Sequence, residues 1–183
     1  MGGIASRSQL RMSFLRWAVV VVPGVLLLGF LSGRSVPAGD ASPWYVALAK
    51  PAATPPGWIF PVAWGLLYIL IGLALAIVLN ARGARGRGVA ILLFALQFAL
   101  NLSWQPLFFG AHRIDAALVV IAAMLVLGIA ATLAFGRIRT SAAWLMVPYL
   151  AWISFAGVLT WQIGRLNPDG GRLAPAAHTS QML

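Results

Sequence analysis

The stretch PPGWIFPVAWGLLY, residues 55–68, decides the fold. Three prolines and two tryptophans crowd its start, and the apolar run it opens reaches Asn80 without a charged residue. Pro55-Pro56 imposes an extended entry, because the first ring restricts φ and the second restricts the residue before it. Pro61 has no N–H and would break a helix interior. The first four N–H groups of any helix lack an intrahelical acceptor, so a proline there costs little. A helix starting near Gly57 or Trp58 puts Pro61 within that first turn. The stretch therefore predicts a membrane-spanning helix over about 58–80, started by its own prolines and entered from an extended segment.

The rest of the chain repeats the pattern. Of its 183 residues, 61% are hydrophobic and 9% charged, with a mean hydropathy of +0.91; soluble domains carry about 25% charged residues. Four further apolar segments lie at about 14–32, 89–110, 115–136 and 140–164. Each approaches or exceeds the ~20 residues that cross a ~30 Å hydrocarbon layer at 1.5 Å per residue. The fold class is thus an all-α membrane protein, a single bundle of five transmembrane helices spanning 14–167. A basic tail, 1–13, precedes it, and a polar Gly/Ala/Pro-rich tail, 168–183, is expected to be disordered. The first segment also imitates a secretory leader, with Arg7, Arg11 and Arg16 before it and SVPA at 35–38 after it. Its apolar run is longer than such leaders carry, so it is read as a retained helix, kinked at Pro23.

Thirteen basic against three acidic residues give a net charge of +10. The arginines sit in gaps between apolar runs, where lipid headgroups and topology account for them, so no nucleic-acid partner is inferred. Arg7, Arg11, Arg16, Arg82, Arg85, Arg87, Arg137 and Arg139 fall on one side of the membrane; Arg34, Lys50, Arg113, Arg165 and Arg172 fall on the other. That bias places the N-terminus inside and, with five spans, the C-terminus outside. The three later loops are short, so consecutive helices are expected to be antiparallel neighbours. Only the first connection, about 33–57, is long. It carries Trp44, Tyr45 and Leu48, too apolar for a solvated linker, and is expected to fold over the bundle mouth as a lid.

Inside the spans, Trp58 falls at the interface, as an aromatic belt requires. Trp64 lies about 9 Å deeper with Tyr68 stacked on it one turn on. Its indole N–H wants a partner, so it should face the interior, for core packing or for a ligand. LQFALNLSWQPLFFG, residues 96–110, sets Gln97, Asn101, Trp104 and Gln105 in one polar-aromatic stripe. Amides there commonly join helices; with Trp104 and Pro106 beside them they can also line a cavity. In VPYLAWISFAG, 147–157, Tyr149, Trp152 and small Ala156 share a face. A pocket walled by Trp64, Asn101, Trp104 and Trp152 under the 44–55 loop would suit a large planar apolar ligand with a polar edge.

Other chemistries are not supported. Asp40, Asp115 and Asp169 are dispersed and shallow, so no acid–base pair is evident. His112 and His178 lie in a loop and a tail, unsuited to holding iron in the bundle, and no metal site is expected. No cysteine is present, which rules out disulfides and thiolate chemistry. An ion-coupled transporter would usually carry an ionisable group in mid-membrane, and none is evident. No intrinsic cofactor is implied.

WYVALAKP (44–51), TPPGWIFPVAWGLLY (54–68), NLSWQPLFFG (101–110) and VPYLAW (147–152) resemble, in order, the motifs of the tryptophan-rich sensory protein/translocator protein family (TspO/MBR, the peripheral benzodiazepine receptor family). The resemblance covers about residues 42–167. It implies a five-helix homodimer that binds porphyrins, haem and benzodiazepine-type or isoquinoline carboxamide ligands, with bacterial members regulating tetrapyrrole-linked gene expression and stress responses. It implies ligand contacts at Tyr45, Pro55, Trp64, Asn101, Trp104, Trp152 and Ala156. Light-dependent porphyrin degradation through Trp64 and Trp152, or tetrapyrrole or lipid transport, are alternatives it also carries. The family's cholesterol motif is absent, since LTWQIGR (159–165) has Trp161 where that motif has tyrosine. The small-residue dimer face is reduced to Ala95 and Ala99, with Gly72 and Ala76 as a second candidate.

Overall fold

Within hydrocarbon a backbone must satisfy its own hydrogen bonds, and a helix does so segment by segment. The computed structural model describes residues 7–172, and every long apolar run there is helical. The helices are α1 (Arg7–Gly33), α2 (Pro43–Ala47), α3 (Ile59–Asn80), α4 (Arg87–Gln105), α5 (Ile114–Ile138) and α6 (Thr140–Leu166). A π-helical turn, Pro106–Gly110, extends α4. All but the short α2 are long and apolar enough to cross a membrane, and no strand occurs among the described residues.

Trp58 caps α3, so Pro61 is its third residue, inside the turn whose N–H groups have no acceptor. Two glycines with positive φ, Gly83 and Gly86, turn the chain between α3 and α4. Arg87 then donates to the carbonyls of Val78 at 3.2 Å and Leu79 at 2.9 Å. A cation on the exposed carbonyls of a helix end is favourable both as a hydrogen bond and against the dipole.

The helices order themselves around the bundle as α1, α3, α6, α5, α4, with lighter contact closing the ring from α4 to α1. Consecutive α4, α5 and α6 are neighbours as their short connections require. The α3–α4 pair differs: these helices touch only lightly despite a short turn. They meet through side chains: Tyr68 of α3 reaches Asn101 and Phe98 of α4 directly, and the fully buried Tyr149 of α6 reaches side chains of both.

Lipid tails give apolar helices no reason to associate, so close packing of small residues does the work. A Cβ on Gly29 of α1 would collide with the Tyr68 ring, and one on Gly72 of α3 would lie 3.1 Å from the Val22 backbone. Gly72 and buried Ala76 are therefore used inside the chain and are not free to form a face between copies. Ala95 and Ala99 of α4 are exposed. Pro106 supplies another tie: lacking an N–H, it leaves the Leu102 carbonyl without its helical donor. Ser32 of α1 donates its hydroxyl there at 2.7 Å, and Gln105 Nε2 donates to the Gly33 carbonyl at 3.1 Å.

The long first connection folds back over one end of the bundle. Ser42 caps α2 by accepting from the Tyr45 N–H, which turns Trp44, Tyr45 and Leu48 inward, all buried. Trp44 donates from Nε1 to the Gly170 carbonyl at 2.7 Å and stacks on His112 at 4.4 Å. Asn167 clips the far side, accepting from the Ala49 N–H and donating to the Ala49 carbonyl, each at 2.9 Å.

Two boundaries differ from the sequence reading. The helix begins at Arg7, so the second half of the segment read as a basic tail, 1–13, is helical. Its residues (Arg, Gln, Leu, Met) are good helix formers that extend the span beyond the hydrocarbon; residues 1–6 lie outside the described residues. Part of the 168–183 segment read as disordered is ordered: a 3-10 turn spans Gly170–Arg172, and Gly170 is buried under Trp44. Residues 173–183, with His178, lie outside the described residues.

Because Asn167 holds both backbone groups of Ala49, Asn167→Ala should loosen the lid without disturbing the spans. Amide exchange over residues 43–57 is expected to accelerate, with about 1–3 kcal/mol lost from local stability, while exchange in α3 and α5 stays unchanged.

Candidate functional site

The stripe on α4 becomes a hydrogen-bonded chain across three helices. Tyr68 of α3 donates its hydroxyl to Asn101 Oδ1 at 2.9 Å. Asn101 Nδ2 donates to the Tyr149 hydroxyl oxygen at 3.4 Å, and Tyr149 donates onward to Gln97 Oε1 at 2.6 Å. Gln97, Asn101 and Tyr149 are buried. Every donor is used in turn until the last: Gln97 Nε2 is buried with no acceptor among the described residues.

The aromatic residues form two groups around this chain. On the α3–α6 side, Trp64 stacks on Tyr68 with centroids 5.3 Å apart and meets Tyr149 edge-on at 6.4 Å. Trp152 meets Phe60 edge-on at 6.0 Å and lies 5.8 Å from Phe155. On the α4–lid side, Trp104 stacks on Phe108 at 5.0 Å and stands perpendicular to Phe109 at 5.9 Å. Phe108 in turn receives the edges of Trp44 and Tyr45. The π-helical turn carries Phe108 and Phe109, and such turns widen a helix locally, often at functional sites.

Trp64, Trp104 and Trp152 are all half-buried and pack on one core cluster. None points wholly into lipid, unlike Trp58 and Trp144, exposed at 68% and 70% as interfacial residues. Asn101 is buried beneath them, and Ala156 is half-buried one turn beyond Trp152. Tyr45 is buried in the lid against Phe109 at 5.3 Å, and Lys50 lies over its outer face, 4.7 Å from the ring. Burial, and to a lesser degree the Asp40 carboxylate, raises the Tyr45 phenol above its ordinary value. Pro55 is half-buried where the lid descends into α3.

The three indoles make no ring contact with one another. Hollows among the described residues lie at either end of the bundle, lined by Arg16 and Arg82 at one and by His112 and Asn167 at the other, and touch none of the seven residues. Neighbouring rings lie edge-to-face and stacked against each indole, contacts worth about 0.5–1.5 kcal/mol each. Like Gln97 Nε2, Trp104 Nε1 is buried with no acceptor among the described residues.

Gln105 belongs to the α1 contact rather than to this site. The hydroxyls of Tyr68 and Tyr149 complete it, although the sequence reading used these residues only as rings. A tyrosine hydroxyl deep in a span needs a partner as much as an amide does, and the amides on the next helix were the available signal. The close approach of Gly29 to Tyr68 had no such signal.

The family model described as the TspO/MBR family matches residues 19–166. The chain belongs to the TspO/MBR family. It is 41% identical over 144 residues to the tryptophan-rich protein TspO of Chlorobaculum tepidum, covering 78% of this chain and 90% of that protein. It is 39% identical over 147 residues to the tryptophan-rich sensory protein of Cereibacter sphaeroides, covering 78% and 91%. It is 37% identical over 154 residues to the translocator protein of Homo sapiens, covering 81% and 90%. The TspO/MBR match runs from α1 to the end of α6, and so includes the lid, the polar chain and all three half-buried indoles.

Tyr149→Phe removes one hydroxyl and strands both Asn101 Nδ2 and Gln97 Oε1. Thermal unfolding in detergent should show a loss of about 1–3 kcal/mol. An unchanged melting temperature would mean that the Tyr149 hydroxyl contributes nothing to holding α6 against α4.

Proposed function

We propose that the chain is a membrane receptor for a large planar tetrapyrrole, a porphyrin or haem, bound among Tyr45, Pro55, Trp64, Asn101, Trp104, Trp152 and Ala156, and that it acts in sensing or regulation linked to that ligand. The observation that carries the reading is the buried Trp104 Nε1 with no acceptor. A donor left unpaired in a low-dielectric interior costs about 1–3 kcal/mol, and an acceptor on a ligand's edge recovers it. Stacked faces at Trp64–Tyr68 and Trp104–Phe108 offer flat surfaces a macrocycle can adopt in their place. The lid over these rings is held by short polar contacts at Gly170 and Ala49, which can be exchanged without unfolding a span. The names of the relatives, sensory protein and translocator protein, support a ligand-handling role.

Titration with protoporphyrin IX, followed by tryptophan fluorescence, tests this reading. Trp104→Phe keeps an aromatic face but removes the indole N–H and the second ring, so binding should weaken about tenfold or more, while the lost packing lowers the ligand-free melting temperature only modestly. Trp64→Ala with Trp152→Ala should abolish most of the quenching. Wild-type affinity in both variants would reject the site.

A further inference from the structure

At the end opposite the lid, α1 and the α3–α4 turn border an open hollow of about 230 Å³ lined by Ser13, Arg16, Trp17, Val20 and Arg82. Two guanidinium groups share it. The chain's only acidic side chains, Asp40, Asp115 and Asp169, all lie at the lid end: in the turn Gly39–Ala41, the first turn of α5, and the turn after α6. No side-chain carboxylate is available to separate the two cations. Two other arginines at this end serve as helix caps, Arg87 on Val78 and Leu79 and Arg139 on Ile138, while Arg85 and Arg137 make no such bond among the described residues and lie outside the hollow. Neither Arg16 nor Arg82 has a side-chain hydrogen bond or ion pair among the described residues. Arg16 is exposed one turn inside the apolar window that opens at Met12, close enough to its end for the guanidinium to reach the headgroup layer.

We propose that this hollow binds the phosphate of an anionic phospholipid headgroup. Arg16 and Arg82 would donate to its oxygens in the forked geometry guanidinium offers, and the Ser13 hydroxyl supplies a third donor. The chemistry recognised is a phosphate oxyanion, which free phosphate shares. The Trp17 ring and the Val20 side chain in the same lining favour a diester attached to acyl chains, because an indole at the interface packs at the glycerol level. The site is independent of the aromatic site at the other end.

The test uses the full chain in a neutral detergent, with short-chain phosphatidylglycerol, phosphatidylcholine or inorganic phosphate added, read by melting temperature and by native mass spectrometry. Phosphatidylglycerol should raise the melting temperature and remain as a one-to-one adduct; phosphatidylcholine carries the same diester, but its trimethylammonium would face two guanidinium groups, so it should stabilise much less, and inorganic phosphate, without acyl chains, less still. Arg16→Gln with Arg82→Gln should weaken the adduct about tenfold or more. Arg82→Gln alone, in an exposed turn, should act in the same direction without affecting folding. Arg137→Gln, a cation at the same end but outside the hollow, should leave binding intact. Equal stabilisation by phosphatidylcholine, equal loss in Arg137→Gln, or the full shift from inorganic phosphate would each overturn the lipid assignment.

Discussion

The hydrogen-bonded chain Tyr68–Asn101–Tyr149–Gln97 is the interaction on which the rest of the bundle depends. Among lipid tails, one apolar helix face is nearly as well solvated as another, so apolar content alone leaves rotation and register undetermined. A hydroxyl or amide in hydrocarbon has few alternatives to its partner. Three bonds running in a single donor-to-acceptor direction therefore fix α3, α4 and α6 in rotation and depth at once. They also join α3 and α4, which touch only lightly despite their short turn, directly through Tyr68 and by way of Tyr149. The aromatic residues that face this chain inherit their positions from it.

A second constraint comes from the prolines, each of which removes a backbone donor. Pro61 falls where none is needed. Pro106 frees the Leu102 carbonyl, and Ser32 answers it from α1. The peripheral helix is thereby tied to the same α4 that carries Asn101. The need for such ties follows from how little of α1 is enclosed, 11% of its apolar window against 33% for α3. Below the proline the helix widens into the π turn, which sets Phe108 and Phe109 between Trp104 and the lid. One missing N–H thus contributes to the placement of α1, the aromatic floor and the lid contact.

The spans were legible because each is a long charge-free run bounded by arginine, and that signal is additive along the chain. The start of α3 was legible because proline and helix geometry admit few arrangements. The lid was legible in kind, from Trp44 and Tyr45 in a long connection, but its clasps were not: Asn167 and Gly170 lie over a hundred residues away and have no local signature. The helix order was misread at α3–α4, since loop length limits separation but does not say what is inserted between. The site residues were legible as types; their pairing was not. Gln97 and Asn101 announced a need for partners, yet only coordinates show those to be tyrosine hydroxyls on two other helices. The indoles were read as walls of one enclosed hollow, whereas each packs first on phenyl or phenol rings of its own neighbourhood.

That arrangement separates a stiff part of the molecule from a yielding part. The polar chain in mid-bundle has buried members on α4 and α6, and opening it strands several groups together, so it should persist through ordinary fluctuations. The lid end is held by a few polar contacts to backbone groups and by the burial of Trp44, Tyr45 and Leu48 in a cluster of its own. Opening there exposes backbone groups that water or headgroups at the interface can satisfy at once. Trp104 lies at the junction, packed on both the central cluster and the lid cluster. Its unpaired N–H is therefore held in place by the stiff part, beside a lid that is tied to the spans by only a few polar contacts, which is the combination the proposed ligand contact requires.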